Sequence, residues 1–135
     1  MEIRQFRVVV RAKNFERTCR FYGESLSLPR LQSWDGETSR GATYQAGAGI
    51  IEVLGRPASA AGAAPRGRDE VFEYQGPQHK MALTFVVPSA EKAYEELLQR
   101  DKNIPGGLRR EDDGTLIFET HDPDGVKIVY RQAES

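Results

Sequence analysis

The hydrophobic pattern switches from strand to helix and back to strand, and the switch occurs twice along the chain. Residues 5–12, QFRVVVRA, are β-branched and strand-like. Asn14 then offers a helix N-cap, and Glu16 stands in the first turn, where a carboxylate suits the helix dipole. Phe15, Cys19, Tyr22 and Leu26 recur at helical spacing and predict one apolar stripe through Leu26. Pro29 closes that segment. Three short strands are predicted over 30–34, 39–46 and 50–54, with Asp35-Gly36 and Gly47-Ala48-Gly49 as turns. The second half repeats this order. A strand over 81–87, MALTFVV, leads to a Ser89 cap, to Glu91 in the first turn, and to a stripe of Ala93, Tyr94 and Leu97 on a helix ending near Arg100. Strands around 108–110, 115–120 and 126–131 follow, separated by Asp112-Asp113-Gly114 and Asp122-Pro123-Asp124-Gly125. One shift lays Asn14 on Ser89 and Glu16 on Glu91, which points to a duplicated unit.

One position interrupts the pattern. Residues 49–55, GIIEVLG, read as a short buried strand with a carboxylate at its centre. An unpaired buried charge costs several kcal/mol, so Glu52 either points at water, holds a metal or is paired with a cation. Between the two halves, residues 56–78 are rich in Ala, Gly, Pro and Arg and read as a linker. Phe72 and Tyr74 within it are candidates either to staple the linker to the domain surface or to form a flap over a pocket.

Bulk properties narrow the function classes. A chain of 135 residues has the length of one domain. Its formal net charge of −1 gives no electrostatic case for nucleic acid binding. The single cysteine, Cys19, excludes an internal disulfide framework and a zinc-thiolate site. No apolar run approaches the ~18 residues a membrane span needs, and residues 1–10 do not read as a signal peptide. The expectation is a cytoplasmic protein without membrane or nucleic acid partners.

A duplicated strand–helix–three-strand unit of this length resembles the vicinal oxygen chelate superfamily, which includes glyoxalase I, bleomycin resistance proteins and extradiol dioxygenases. The resemblance is carried by RVVVRAKNFERTCRFYGESLSL (7–28), GIIEVLG (49–55), ALTFVVPSAEKAYEELLQR (82–100) and FETHDPDGVKIVY (118–130). Phe21-Tyr22 followed by Leu26-Ser27-Leu28 is similar to the family's FY and LGL signature, with Ser27 where Gly is usual. The resemblance implies an α+β fold in one domain. Two βαβββ modules, 3–55 and 79–132, would form a curved mixed sheet around a cavity. Metal-using members place ligands at the start of each module's first strand and in the middle of its last. Here those places fall on Arg7, Glu52, Ala82 and Val129, of which only Glu52 is a ligand type. His79 and His121 read as surface histidines, so no metal or other cofactor is expected.

Strand alternation then assigns a face. With Glu52 facing the cavity, the first strand contributes Arg7, Val9 and Arg11, the fifth Lys80, Ala82, Thr84 and Val86, and the last Lys127, Val129 and Arg131. In the family fold the first and last strands of a module are neighbours, which predicts an Arg7–Glu52 pair in place of the ion. Arg11, Lys80, Lys127 and Arg131 are expected to lack inward acidic mates and to line the rim. Trp34 and Tyr44 are candidates for stacking on a flat ligand or for core positions. The candidate ligand-binding set is therefore Arg7, Arg11, Trp34, Tyr44 and Glu52 with Lys80, Ala82, Thr84 and Val129, suited to an anionic or aromatic small molecule. The leading expectation is a binding protein of the bleomycin-resistance type. The alternatives are a metal-dependent lyase, isomerase or dioxygenase, an enzyme using Glu52 as general base, and a domain whose pocket has become ordinary core. The resemblance also implies a homodimer.

Overall fold

The computed structural model describes residues 2–37, 39–57, 69, 82–100, 104–111 and 113–134. The chain divides into two compact units, Met1–Gln75 and Gly76–Ser135, and each carries its own four-stranded mixed sheet and helix. His79, Lys80, Phe72 and Tyr74 lie outside the described residues, as does most of the 56–78 segment.

In the first unit, β1 (Arg7–Arg11) leads to α1 (Phe15–Arg20), and β2 (Arg30–Asp35), β3 (Arg40–Ala46) and β4 (Gly49–Gly55) follow. Spatial order is β1-β4-β3-β2, with β1 parallel to β4 and the other pairs antiparallel. Asn14 caps α1 as its sequence position predicts: its side-chain oxygen accepts the Arg17 N–H at 3.1 Å. The helix does not continue as an α-helix to Leu26. Phe21–Ser25 is a π-helical turn, closed by the Leu26 N–H donating to the Phe21 carbonyl at 2.9 Å. In this wider turn Phe21 and Tyr22, adjacent in sequence, are both buried. The chain leaves it through Ser27 at φ 55°, a left-handed conformation that glycine takes without cost.

The pleat sorts the sheet into two faces. Val10, Ala42, Tyr44, Ile51 and Val53 are buried toward α1 and the π-helical turn, where Tyr22 packs 6.3 Å from Tyr44 between ring centroids. Arg40, buried at the start of β3, donates to Glu16 Oε1 at 2.7 Å, approaches Asp35 Oδ2 at 3.6 Å, and lies 4.3 Å from the Phe15 ring centroid. That arginine ties α1 to the strand pair β2–β3.

The second unit repeats the plan with β5 (Ala82–Val87), α2 (Ala90–Arg100), β6 (Arg109–Arg110), β7 (Leu116–His121) and β8 (Lys127–Gln132), in the order β5-β8-β7-β6. Ser89 Oγ accepts the Lys92 N–H at 3.2 Å, and Gln132 Oε1 accepts the Ala90 N–H at 2.6 Å, so the helix start is sewn to the end of β8. The core face holds Phe118 stacked on Tyr130 at 4.3 Å, edge-on to Tyr94, with the Tyr130 hydroxyl hydrogen-bonded to Thr120 at 2.8 Å. The Asp122-Pro123-Asp124-Gly125 turn is built around the buried Asp122, whose Oδ1 accepts N–H groups from both Asp124 and Val126 at 2.8 Å.

Candidate functional site

The face of the first sheet away from α1 carries the candidate chemistry. The parallel pairing sets Val9 opposite Glu52, and the antiparallel pairing sets Glu52 opposite Thr43, which is followed by Gln32 on β2. Glu52 points away from the apolar core, and Arg7 Nη1 donates to its Oε1 at 2.7 Å. The Glu52 side chain is 18% exposed and that of Arg7 37%, so the pair is half sheltered, and Arg7 Nε is held by Gln5 Oε1 at 2.5 Å. This pair answers the anomaly in the sequence: the carboxylate in the apolar strand is balanced by a guanidinium reaching across from β1.

The next row across the same face runs Arg11, Leu54, Gly41 and Trp34. Gly41 is what admits the indole: a Cβ there would lie 2.4 Å from Trp34 Cζ2. Trp34 thus rests on the sheet, and its Nε1 donates to Ser39 Oγ at 3.0 Å. The result is a flat aromatic surface fixed beside Leu54, one row from a carboxylate–guanidinium pair. Gly41 and the fully buried Thr43 share this face of β3, and sequence reading missed both. The signal for both is alternation along β3, which becomes readable only once its register against β4 is known.

Tyr44 belongs to the other side. It pairs with Ile51 rather than Glu52 and is buried against the helix, so it is not a wall of the Glu52 face. Burial chiefly, then the Cys19 contact, raises its pKa well above the usual phenol value, and burial also pushes the Cys19 thiol up.

On the corresponding face of the second sheet stand Ala82, Thr84 and Val86 from β5 and Lys127, Val129 and Arg131 from β8, as alternation predicts. The expectation that Lys127 and Arg131 lack acidic mates is overturned. Glu119 on β7, opposite Val129, pairs with Arg109 and lies 3.5 Å from Lys127 Nζ. Arg131 reaches Asp113 Oδ2 at 2.8 Å and Glu111 Oε1 at 3.2 Å across the β6–β7 turn. These carboxylates come from a neighbouring strand and hairpin, which alternation along single strands does not reveal. His121 is the exposed last residue of β7, opposite Lys127.

The residues at the four positions where metal-using relatives place ligands do not fit an ion. Arg7 is a cation, Ala82 and Val129 have no donor atoms, and the one carboxylate, Glu52, is engaged by Arg7. Among the described residues no group of three or more His, Cys, Asp or Glu side chains is placed to hold a metal. No helix among them is long and apolar enough to cross a membrane.

A strand–helix–three-strand unit built twice, with polar residues on the sheet face opposite the helix, defines a duplicated α+β architecture. The sequence matches the family model of the Glyoxalase/Bleomycin resistance protein/Dioxygenase superfamily over residues 4–130, and the chain belongs to that superfamily. Several solved structures share the fold at low identity. Lactoylglutathione lyase from Agrobacterium tumefaciens is 15% identical with a TM-score of 0.64, covering 95% of this chain and 92% of its own. A glyoxalase family protein from Enterococcus faecalis is 20% identical with a TM-score of 0.65, covering 97% of each chain. The trypanothione-dependent glyoxalase I of Leishmania major is 18% identical with a TM-score of 0.66, covering 97% of this chain and 87% of its own. No curated protein matches in sequence.

Proposed function

We propose that this protein binds a small molecule on the Glu52 face of its first sheet without using a metal ion. The observation that carries this reading is the 2.7 Å contact between Arg7 and Glu52, which commits the one available carboxylate to a guanidinium. A binding role needs only shape and complementary groups, whereas Lewis-acid chemistry needs several donors on one ion. The face offers Trp34 for stacking, the free edge of the Arg7–Glu52 pair for polar contacts and Ile50 and Leu54 as apolar floor, which suits a flat ligand with an anionic or oxygen-rich end. Val9 remains 48% exposed on the first sheet and Val86 66% exposed on the second, which speaks against a face filled by its own side chains. The reading extends to Arg11 as a further wall on the same sheet and, by analogy with the superfamily, to a cytoplasmic homodimer with no cofactor.

The test is native mass spectrometry of the purified protein before and after incubation with Zn, Ni, Mn and Fe(II), followed by a screen of flat anionic compounds. Retention of the apo mass with all four metals, and a hit that Trp34→Ala abolishes, are the expected results. Stoichiometric metal uptake would overturn the reading and direct attention to lyase or dioxygenase assays.

A further inference from the structure

A second recess lies in the first unit on the opposite side of the sheet from Glu52. It has a volume of about 290 Å³ and opens between the π-helical turn and the strand pair β2–β3. Its walls are Arg20, Gly23 and Glu24 from the helical segment and Leu28 and Arg30 from the chain entering β2. Tyr44 and Cys19 are at the back. The recess exists because of local sequence: a Cβ on Gly23 would sit 3.0 Å from Tyr44 Cε1, so any larger residue crowds the tyrosine and fills the space. The π-helical turn widens the backbone at the same place.

The charge pattern is what makes this recess more than a gap. Arg7, Arg40, Arg109 and Arg131 each have a carboxylate partner. Among the described residues Arg20 and Arg30 form no ion pair, yet both line the recess, where Glu24 is the one carboxylate among the described lining residues. Tyr44, only 2% exposed, lines the same recess with Cys19. Two guanidiniums lining one recess are a donor-rich arrangement suited to an oxyanion. The volume falls at the small end of ligand cavities, which run from ~300 to 1,000 Å³, and so suits a compact group.

We propose that this recess is a second binding site that takes a small oxyanion, a phosphate or carboxylate group, held by Arg20 and Arg30. It is independent of the Glu52 face, because the sheet separates the two and no residue lines both.

Cys19 is the only thiol in the chain and serves as a built-in reporter. Its rate of alkylation by iodoacetamide is measured in the full chain with inorganic phosphate, with acetate, or with chloride at matched ionic strength. A ligand at a few times its Kd slows the reaction by roughly threefold, since only the empty fraction reacts. Greater protection by phosphate identifies a phosphate-bearing ligand, and greater protection by acetate a carboxylate. In Arg30→Gln the ligand concentration needed for protection rises about tenfold, as expected for a lost charge-assisted hydrogen bond. Arg20→Gln/Arg30→Gln loses protection, while circular dichroism shows it folded, because both side chains are exposed. Glu52→Gln leaves protection unchanged whether or not the other face binds its ligand. Equal rates in phosphate, acetate and chloride, or protection that survives in the double variant, would overturn the proposal.

Discussion

In the first sheet the row that begins at Val9 continues through Glu52 and Thr43 to Gln32; in the second, the row that begins at Thr84 continues through Val129 to Glu119. Both rows hold one carboxylate, but it sits on the last strand of the first unit and on the strand before it in the second. Its cation has moved accordingly. Arg7 reaches Glu52 from β1, whereas Glu119 is met by Arg109 from β6 and Lys127 from β8. The faces toward the helices differ far less in kind: each is a layer of aromatic and branched side chains, with Tyr22, Tyr44 and Val53 in one and Phe118, Ile128 and Tyr130 in the other. The duplication is thus held in common by the apolar face, where packing tolerates little change. The other face is free to exchange partners because a partly sheltered carboxylate is balanced by a cation from any adjacent strand.

The comparison breaks if the two faces prove equally sensitive to substitution. Phe118→Ala on the apolar face should cost about 3–5 kcal/mol in urea unfolding, while Val86→Ala on the open face should change stability by less than ~0.5 kcal/mol. Arg7→Met leaves Glu52 without its cation in a partly sheltered position. Discounted for the exposure of Arg7, the loss should be about 1–2 kcal/mol, and a variant as stable as the parent would mean that Glu52 is fully hydrated. A third difference lies where each helix gives way to the next strand. The first unit passes through Ser27 at φ 55°, the second through Gly106 and Gly107 at φ 81° and 60°. Ser27→Gly should therefore raise stability by about 1 kcal/mol, read as an upward shift in Tm, with no counterpart to gain in the second unit.

The pairs on the second sheet should matter least. Lys127→Met, whose partner Glu119 keeps Arg109, should cost below ~1 kcal/mol and the cost should vanish at high salt. Asp113, exposed in the β6–β7 turn, has its carboxyl pKa lowered by hydrogen bonds from Thr115 and by Arg131. A pKa depressed in the folded state contributes stability that is present above the ordinary carboxylate range and is lost as pH falls through the lowered value. Asp113→Asn should flatten that acid limb, and carboxyl NMR titration should place the Asp113 midpoint below those of unpaired carboxyls.

Element order was legible because it rests on local signals. Asn14 and Ser89 cap the helices they were expected to cap, and every strand begins within about two residues of its pattern-based limit, well within the usual uncertainty of such limits. The Arg7–Glu52 pair was legible too, because it follows from alternation on two strands plus the family's strand order. What alternation could not reach was anything set by a third strand. Its own strand leaves Tyr44 free to be a wall of the ligand face, and only the β3–β4 register turns it to the helix side; Glu119 likewise joins the open face only through the pairing of β7 with β8. The π-helical turn was hidden for a different reason. Apolar residues at positions 15, 19, 22 and 26 satisfy ordinary helical spacing, so nothing in the pattern marks where the hydrogen bonds lengthen from four residues to five.

Trp34 gives the molecule an optical property. It is the only tryptophan in the chain, its ring rests on Gly41, and its nitrogen is bonded to Ser39. Fluorescence excited at the red edge of protein absorption therefore comes from a single fluorophore whose rotation is restrained from the start. Quenching or a spectral shift reports events on the Glu52 side of one sheet. Occupation of the recess that Tyr44 lines should leave that emission unchanged, so the spectrum separates events on the Glu52 side from those on the helix side once Cys19 protection has shown that the recess is filled.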